Sequence, residues 1–429
     1  MNNVRLAWKN IINKPLNMIL SLMLFALGIG LISFLLLVND QLKDKFESNL
    51  AGIDMVLGAK GSPLQLILCN MYHIDNPTGN IDIADAAPFF NPKHPVISTA
   101  IPLSLGDNYR SYRIVGTTHE LPVLYGGEVG EGTLWKKDFE VTIGKSVADR
   151  TGLKIGDTFV SSHGFTEDDD LAHDHGELKV VGIFKPTGTV LDQLILCTTS
   201  SVWRVHEHHE HDHDDDDSHD HEGDEHHHED EIDLNSNAYL LQNTDEQITS
   251  ILIKYRSRNN IQALNLPRYI NENTKLQAAV PAFEINKVYN LLGVGTDAIR
   301  AIALLIALVS AISIFISLFR SMRERKYELA LMRVLGGSRE KLFGLILLEG
   351  VLIAVLGWAI GTILSHISME ILAGYLQSDF RYSFTGWKWL NEEWTLLGIS
   401  VLIGVVASFI PALQAYRTDI NKTLAGSEG

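Results

Sequence analysis

Four stretches of this chain are apolar enough and long enough to cross a lipid bilayer. Met18–Val38 carries no charged residue and can span roughly 30 Å of hydrocarbon. Ala301–Phe319 is a second such run, Leu342–Leu364 a third broken only by Glu349, and Thr395–Tyr416 a fourth with Pro411 near its end. Over 429 residues, 46% of them hydrophobic, a mean hydropathy near zero hides this concentration. The first run exceeds a signal-peptide core, and Asn39-Asp40-Gln41 follows it instead of a small-residue cleavage site, so it is expected to stay in the mature chain. Four core helices of a soluble protein are the alternative, and uncharged runs of this length argue against them.

Lys and Arg beside the runs set the expected orientation. Arg5, Lys9 and Lys14 precede the first run. Arg320, Arg323, Arg325, Lys326, Arg333, Arg339 and Lys341 follow the second, and Arg417 and Lys422 follow the fourth. These three regions, both termini included, are predicted to be cytoplasmic. The long loop from Asn39 to about Arg300 and the short one around Ser378–Trp394 then face outward. Trp387, Trp389 and Trp394 fall where an interfacial aromatic belt would place them.

The segment between the second and third runs cannot lie in lipid, because a charge at mid-bilayer costs at least about 2.5–3.5 kcal/mol. Tyr327, Leu331, Val334 and Leu335 nevertheless share one helical face, which needs a partner. Gly336-Gly337 is predicted to stop that helix, and Ser338 with Glu340 suits the start of the next. At the other end of the chain, Asn2–Pro15 interleaves Val4, Leu6, Trp8, Ile11 and Ile12 with Arg5, Lys9 and Lys14. It is expected to lie as a helix along the inner membrane surface.

The long outward loop reads as a folded α+β body. Strand-like runs recur between turn signals at Tyr112–Val115, Phe139–Ile143, Thr158–Ser161, Leu178–Phe184, Gln193–Cys197 and Ile251–Tyr255. A helix is predicted from about Ser146 to Gly152, with Gly156-Asp157 turning the chain into the next strand. Gln41–Leu50 and Pro281–Leu292 are helix-prone and would act as two stalks. Cys69 and Cys197 both fall in this loop. An oxidising compartment could pair them, and the sequence leaves that open.

One segment interrupts the body. His206–Glu231 holds ten His and fourteen Asp or Glu with no apolar residue, so it cannot bury a core and is predicted to be disordered. It also makes most of the formal charge of −17 local, and no basic surface for nucleic acid remains. Imidazole with carboxylate is a strong ligand set for Zn(II), and also suits Cu(II) or Ni(II). The candidate ligands are His206, His208, His209, His211, His213, His219, His221, His226, His227 and His228, with His173 and His175 of the smaller tract His163–His175. A solvated acidic insertion is the plainer reading, but carboxylates alone would serve that purpose. Zinc on this loop is the expected metal, as a sensing or buffering tract and not as a catalytic cofactor.

Glu349, His366 and Glu370 are polar positions in or near the third run, and intramembrane ionisable groups are functional candidates by default. His366 and Glu370, four apart, share a helical face and could pair or bind a cation. No GxxxxGK[ST] motif occurs, so ATP hydrolysis is not expected of this chain, and no nucleophile–base constellation stands out.

With these residues placed, the chain resembles the FtsX-like/MacB-like permease subunits of ABC transporters, the type VII or mechanotransmission family. LAWKNIINKPLNMILSLMLFALGIGL from Leu6 looks like the family's amphipathic helix and first span. VTIGKSVADRTGLKIGDTF and KPTGTVLDQLILCTTSSV look like its periplasmic core domain. RERKYELALMRVLGGSREKLFGLILLEGVLIAVLGWAIG from Arg323 is similar to its most recognisable block, and SFIPALQAYRTDINKTLAG from Ser408 to its ending.

The resemblance implies an α-helical membrane protein of four transmembrane helices, with a MacB-like periplasmic core domain on two stalk helices between the first and second. The divisions that follow are 1–15 amphipathic helix, 16–38 first span, 39–295 outward domain with the insertion at 206–231, and 296–319 second span. Next come 320–341 coupling helix, 342–372 third span, 373–394 outward loop, 395–416 fourth span and 417–429 cytoplasmic tail. It implies a bacterial inner-membrane protein that pairs with a second copy of itself and with an ATP-binding subunit. Arg323, Arg325, Tyr327, Leu331, Arg333, Val334, Leu335, Gly336 and Arg339 would form the coupling site, with ATP on the partner. Metal handling is the expected role. Lipoprotein extraction, peptide or drug efflux, or a scaffold that activates a cell-wall hydrolase are the alternatives, the first and last bringing a lipoprotein or periplasmic partner. The insertion is not required by the family pattern.

Overall fold

The computed structural model describes residues 6–7, 15–161, 177–207, 233–379 and 384–417. The predicted surface helix Asn2–Pro15 and both His tracts fall almost wholly outside them. The chain divides into two compact units, one of Asp44–Tyr289 and one of Met1–Lys43 with Asn290–Gly429.

The second of these is built on four long helices. They run over Pro15–Leu50, Pro281–Glu324, Arg339–Asp379 and Asn391–Tyr416. Each contains a stretch long and apolar enough to cross a membrane, with mean hydropathy of 2.6, 2.8, 2.3 and 2.4 in chain order. They will be called the first to fourth span helices. Their shared core is Phe25, Ile29, Ile314, Leu318, Ile353, Ala354 and Ala407. Ile302, Leu304, Leu305 and Leu308 of the second and Leu402, Val406 and Ile410 of the fourth remain exposed. A helix that is apolar on all sides fits lipid and not water.

Small residues let the span helices approach backbone to backbone. A Cβ on Gly361 of the third would come within 2.5 Å of the Ala26 carbonyl oxygen of the first. One on Gly350 would meet Ser408 Cβ of the fourth at 2.5 Å.

The other unit is a mixed sheet with helices on it. Its strands are β1 (Met55–Ala59), β2 (Ile81–Asp82), β3 (Ile97–Tyr109), β4 (Tyr112–Thr117), β5 (Val129–Gly132) and β6 (Glu140–Ile143). They continue with β7 (Thr158–Phe159), β8 (Leu178–Phe184), β9 (Leu194–Cys197), β10 (Gln247–Ile248), β11 (Ser250–Tyr255) and β12 (Leu276–Ala279). The main sheet among the described residues runs β12-β1-β11-β3-β4-β9-β6-β8-β5, with β7 beside β8. Among the described residues only the β4–β9 and β6–β8 pairs are parallel. One apolar core gathers Met55, Leu57, Ile251, Ile253 and Leu276 with Phe89 and Phe90. A second gathers Ile114, Val141, Ile143, Val180 and Ile195 with Val147 of the helix Lys145–Thr151.

The six strand-like runs read from sequence all correspond to strands, and the helix after Gly144 ends at Gly152 with φ +76°. The longest strand, β3, was not among them. The helix beginning at Pro281 runs without a break to Glu324.

Cys69 lies buried in the helix Pro63–Met71 and Cys197 lies buried in β9, and both are free thiols. Burial pushes the Cys69 thiol up to about 11 against a smaller opposing pull from Arg113, and it raises Cys197 further. The thiolate is the reactive form. Neither thiol is therefore expected to react with maleimide in the folded chain at neutral pH, and both should react after denaturation. Mass spectrometry of alkylated protein checks this, and a linked pair would contradict it.

Candidate coupling surface

The second span helix gives way at Arg325 (φ −103°, ψ 15°) to a short helix, Lys326–Val334. Its inner side is anchored. Leu329 and Ala330 are buried, and Leu329 packs with Met322, Leu342, Ile346, Ala412 and Ala415 of the span helices. Its other side is open. Tyr327 is 54% exposed, Leu331 45%, Val334 58% and Leu335 79%. Arg323, Lys326, Arg339 and Lys341 are exposed in the same segment, as are Glu324, Glu328 and Glu340, and Arg333 is half-buried.

The stop is built as the sequence suggests. Gly336 takes φ +95°, where a side chain is strained. Its N–H reaches the Arg333 carbonyl at 3.1 Å, and Gly337 N–H reaches that of Met332 at 2.9 Å. Ser338 Oγ then accepts Lys341 N–H at 3.2 Å and caps the third span helix.

Arg325 turns inward. Its guanidinium donates to Ser321 Oγ at 2.6 Å and to Glu349 Oε2 at 3.3 Å, with the two charged side chains only 15% and 3% exposed. The lone carboxylate of the third apolar run is thus the counter-ion of the residue that joins two helices. Arg339 sits over the Tyr416 ring at 6.0 Å, which ties the start of the third span helix to the end of the fourth.

His366 and Glu370 do not pair with each other. Both reach the segment that precedes the fourth span helix. Glu370 Oε2 accepts Gly386 N–H at 2.7 Å, and His366 Nδ1 contacts the Gly386 carbonyl. His366 Nε2 lies 2.9 Å from Oε1 of Glu393, a fully buried carboxyl group that sequence reasoning missed. Glu393 also takes Ser33 Oγ–H of the first span helix at 2.9 Å and Leu390 N–H at 3.3 Å. Gln41 exchanges two hydrogen bonds with the backbone of Thr385, at 2.7 and 2.9 Å, and Asp40 pairs with Lys388 at 2.8 Å. The one sequence signal for Glu393 was its place at the third position of a helix start, where a carboxylate can cap.

Among the described residues no group of three or more His, Cys, Asp or Glu is placed to hold a metal ion. His206 falls at the end of the helix Thr199–Glu207, while the ligand candidates His173, His175 and His208–His228 lie outside the described residues.

Residues 300–420 match the sequence family described as FtsX-like permease C-terminal. A probable export ATP-binding/permease protein of Pseudomonas fluorescens strain Pf0-1 is 31% identical over 133 residues, or 29% of this chain and 20% of that protein. A like-named protein from another strain of that species is 29% identical over 133 residues, covering the same shares. An uncharacterized ABC transporter permease of Methanocaldococcus jannaschii is 24% identical over 142 residues, 32% of this chain and 35% of the relative. The chain thus spans between a fifth and about a third of the length of the curated relatives it matches.

Proposed function

We propose, from the premise that residues 300–420 are an FtsX-like permease region of the ABC transporter class, that this chain is a permease subunit driven by a separate ATPase. The observation that carries the reading is the helix Lys326–Val334. It is held to the span helices on one side and presents Tyr327, Leu331, Val334 and Leu335 on the other, in a segment of exposed charged side chains. An apolar patch with a charged rim is the anatomy of a protein contact. In the orientation favoured by Lys and Arg, this face and both termini are cytoplasmic, in a bacterial inner membrane. Arg323, Arg333, Gly336 and Arg339 border the contact, and Arg325 fixes its base. The names of the two Pseudomonas fluorescens relatives join ATP binding and permease in one protein, whereas here ATP binding is assigned to a partner. Co-purification with an ATP-binding chain tests the reading, and failure to capture one from cells that express both would end it.

The unit Asp44–Tyr289 faces outward in this reading and moves when ATP closes the partner, with Gln41–Leu50 and Pro281–Leu292 as stalks and a second copy of the chain completing the machine. The cargo assignment is metal handling, with zinc on the tract His206–Glu231, whose ten His and fourteen acids form the densest ligand set in the chain. A variant lacking residues 206–231 is expected to lose most of the zinc bound by the intact chain in calorimetry, with stoichiometry falling by several ions. Equal binding by the two chains would remove the tract as ligand. Lipoprotein extraction or peptide efflux keeps the same machine, and a scaffold for a cell-wall hydrolase keeps only the motion. A hydrolase co-purifying with the outward unit would favour that last reading.

A further inference from the structure

The third span helix carries a groove of about 620 Å³ along one face, within the unit of the span helices. Trp358, Thr362, Ile363, Ile367 and Ile371 recur along it at helical spacing, over roughly 20 Å of helix. Trp387 and Trp389 of the connecting segment form its other wall. The lining is almost wholly apolar, and its polar groups are mostly engaged already. Both ring nitrogens of His366 are taken, by Gly386 and Glu393, and Glu370 Oε2 holds Gly386 N–H. Trp358 Nε1 donates to the Glu393 carbonyl at 3.1 Å. Thr362 is the exception. It is 2% exposed, and its hydroxyl has no hydrogen-bond partner among the described residues. A buried donor left unmade is costly, so an occupant with an acceptor at that level would gain by it.

We infer that this groove seats one ester-linked phospholipid of the surrounding bilayer, with the Thr362 hydroxyl donating to an ester carbonyl. Depth supports this. Helix rise places Thr362 roughly 32 Å from Lys341, about one hydrocarbon thickness, and so at the level of the ester groups in the leaflet remote from Lys341. Trp387 and Trp389 are 85% and 58% exposed beside it, and indole rings favour the same interfacial level. Ile363 and Ile367 are exposed and continue the apolar, lipid-facing surface of the span helices into the groove, where they cover the start of an acyl chain. A protein occupant fits poorly. A helix is about 10–12 Å across with its side chains, and over this length it would displace about 1,600 Å³, more than twice the space present.

Native mass spectrometry of the full chain tests the assignment. The protein is stripped of lipid in detergent, then given equal amounts of dioleoyl phosphatidylethanolamine and its diether analogue, which lacks the ester carbonyls. The wild type should retain one lipid per chain and favour the ester form about fivefold, the worth of roughly one net hydrogen bond. Thr362→Val keeps the side-chain shape without the hydroxyl and should retain the two lipids alike. Ile367→Trp fills the groove and should lower retention of either lipid at least about tenfold, by overpacking the seat. Leu305→Trp, on the exposed face of the second span helix, should leave retention unchanged. Photolabelling of the wild type decides the matter even where a variant folds poorly. A phosphatidylethanolamine with a diazirine beside its ester, in vesicles of dioleoyl phosphatidylcholine, should label residues 358–371 and 386–389 well above the equally apolar 302–312. Equal retention of ester and diether lipid by the wild type, an ester preference that survives in Thr362→Val, or full retention by Ile367→Trp would each overturn the assignment. So would label spread evenly over the exposed helix faces, or label excluded from the groove by a second copy of the chain.

Discussion

Arg325→Ala is expected to cost about 3–5 kcal/mol of stability, the loss typical when one member of a buried ion pair is removed. The residue occupies the joint between the second span helix and the helix Lys326–Val334, and its guanidinium is the counter-charge of Glu349, whose side chain is 3% exposed. Removing it leaves the buried Glu349 carboxylate without its guanidinium counter-charge. Removing the charge at the same time should restore most of the loss, so Arg325→Ala with Glu349→Gln is expected to unfold close to the wild type. Denaturant unfolding of the full chain in mixed micelles measures the difference. A double variant no more stable than the single one would show that the pair is not what holds the joint.

Leu331→Asp with Leu335→Asp is expected to weaken the association with the proposed ATP-binding partner at least about a hundredfold, or about 2.7 kcal/mol. Apolar side chains at the centre of a patch carry a disproportionate share of binding energy, and a carboxylate there must be stripped of water on docking. Folding should be spared, because the two side chains are 45% and 79% exposed. Leu329→Asp makes the contrast. That side chain is 5% exposed among Met322, Leu342 and Ala412, so its replacement should unfold the region instead of unbinding a partner. Quantitative pull-down with the ATPase and melting curves on both variants separate the two effects. Undiminished capture of the ATPase by Leu331→Asp with Leu335→Asp would move the contact elsewhere.

Periodicity and apolar length made the spans and the helix stop legible, since both rest on local chemistry. A charge-free run has few alternatives to a bilayer, and Gly336 sits where only a left-handed residue fits. β3 was hidden by its own composition. It carries Pro102 and Gly106, residues that argue against a central strand, yet it lies between β11 and β4 with Pro102 opposite Ile251. The neighbours on both sides override the local preference.

Glu393 was hidden for a different reason. In sequence it stands at the edge of an apolar run, where a carboxylate would meet water. Its burial depends on Ser33 and His366 arriving from distant parts of the chain. The helical spacing of His366 and Glu370 was visible, but each turns to Gly386 instead of to the other. Arg325 carries the same lesson. Sequence reading placed it with its basic neighbours in the coupling site, whereas the structure has it between two helices and turned inward to Glu349.

The second span helix reaches well beyond any bilayer. Its 44 residues correspond to roughly 66 Å of helix against about 30 Å of hydrocarbon. The fourth span helix has 26 residues and a start pinned by Glu393. The two should answer differently to bilayer thickness. In a thicker membrane the second helix cannot lengthen its apolar run, because Arg300 and Arg320 bound it, and must let those long side chains snorkel, while the fourth must draw lipid thinner at its capped end. Lipid acyl length would then act mainly on the bilayer around the capped start of the fourth helix.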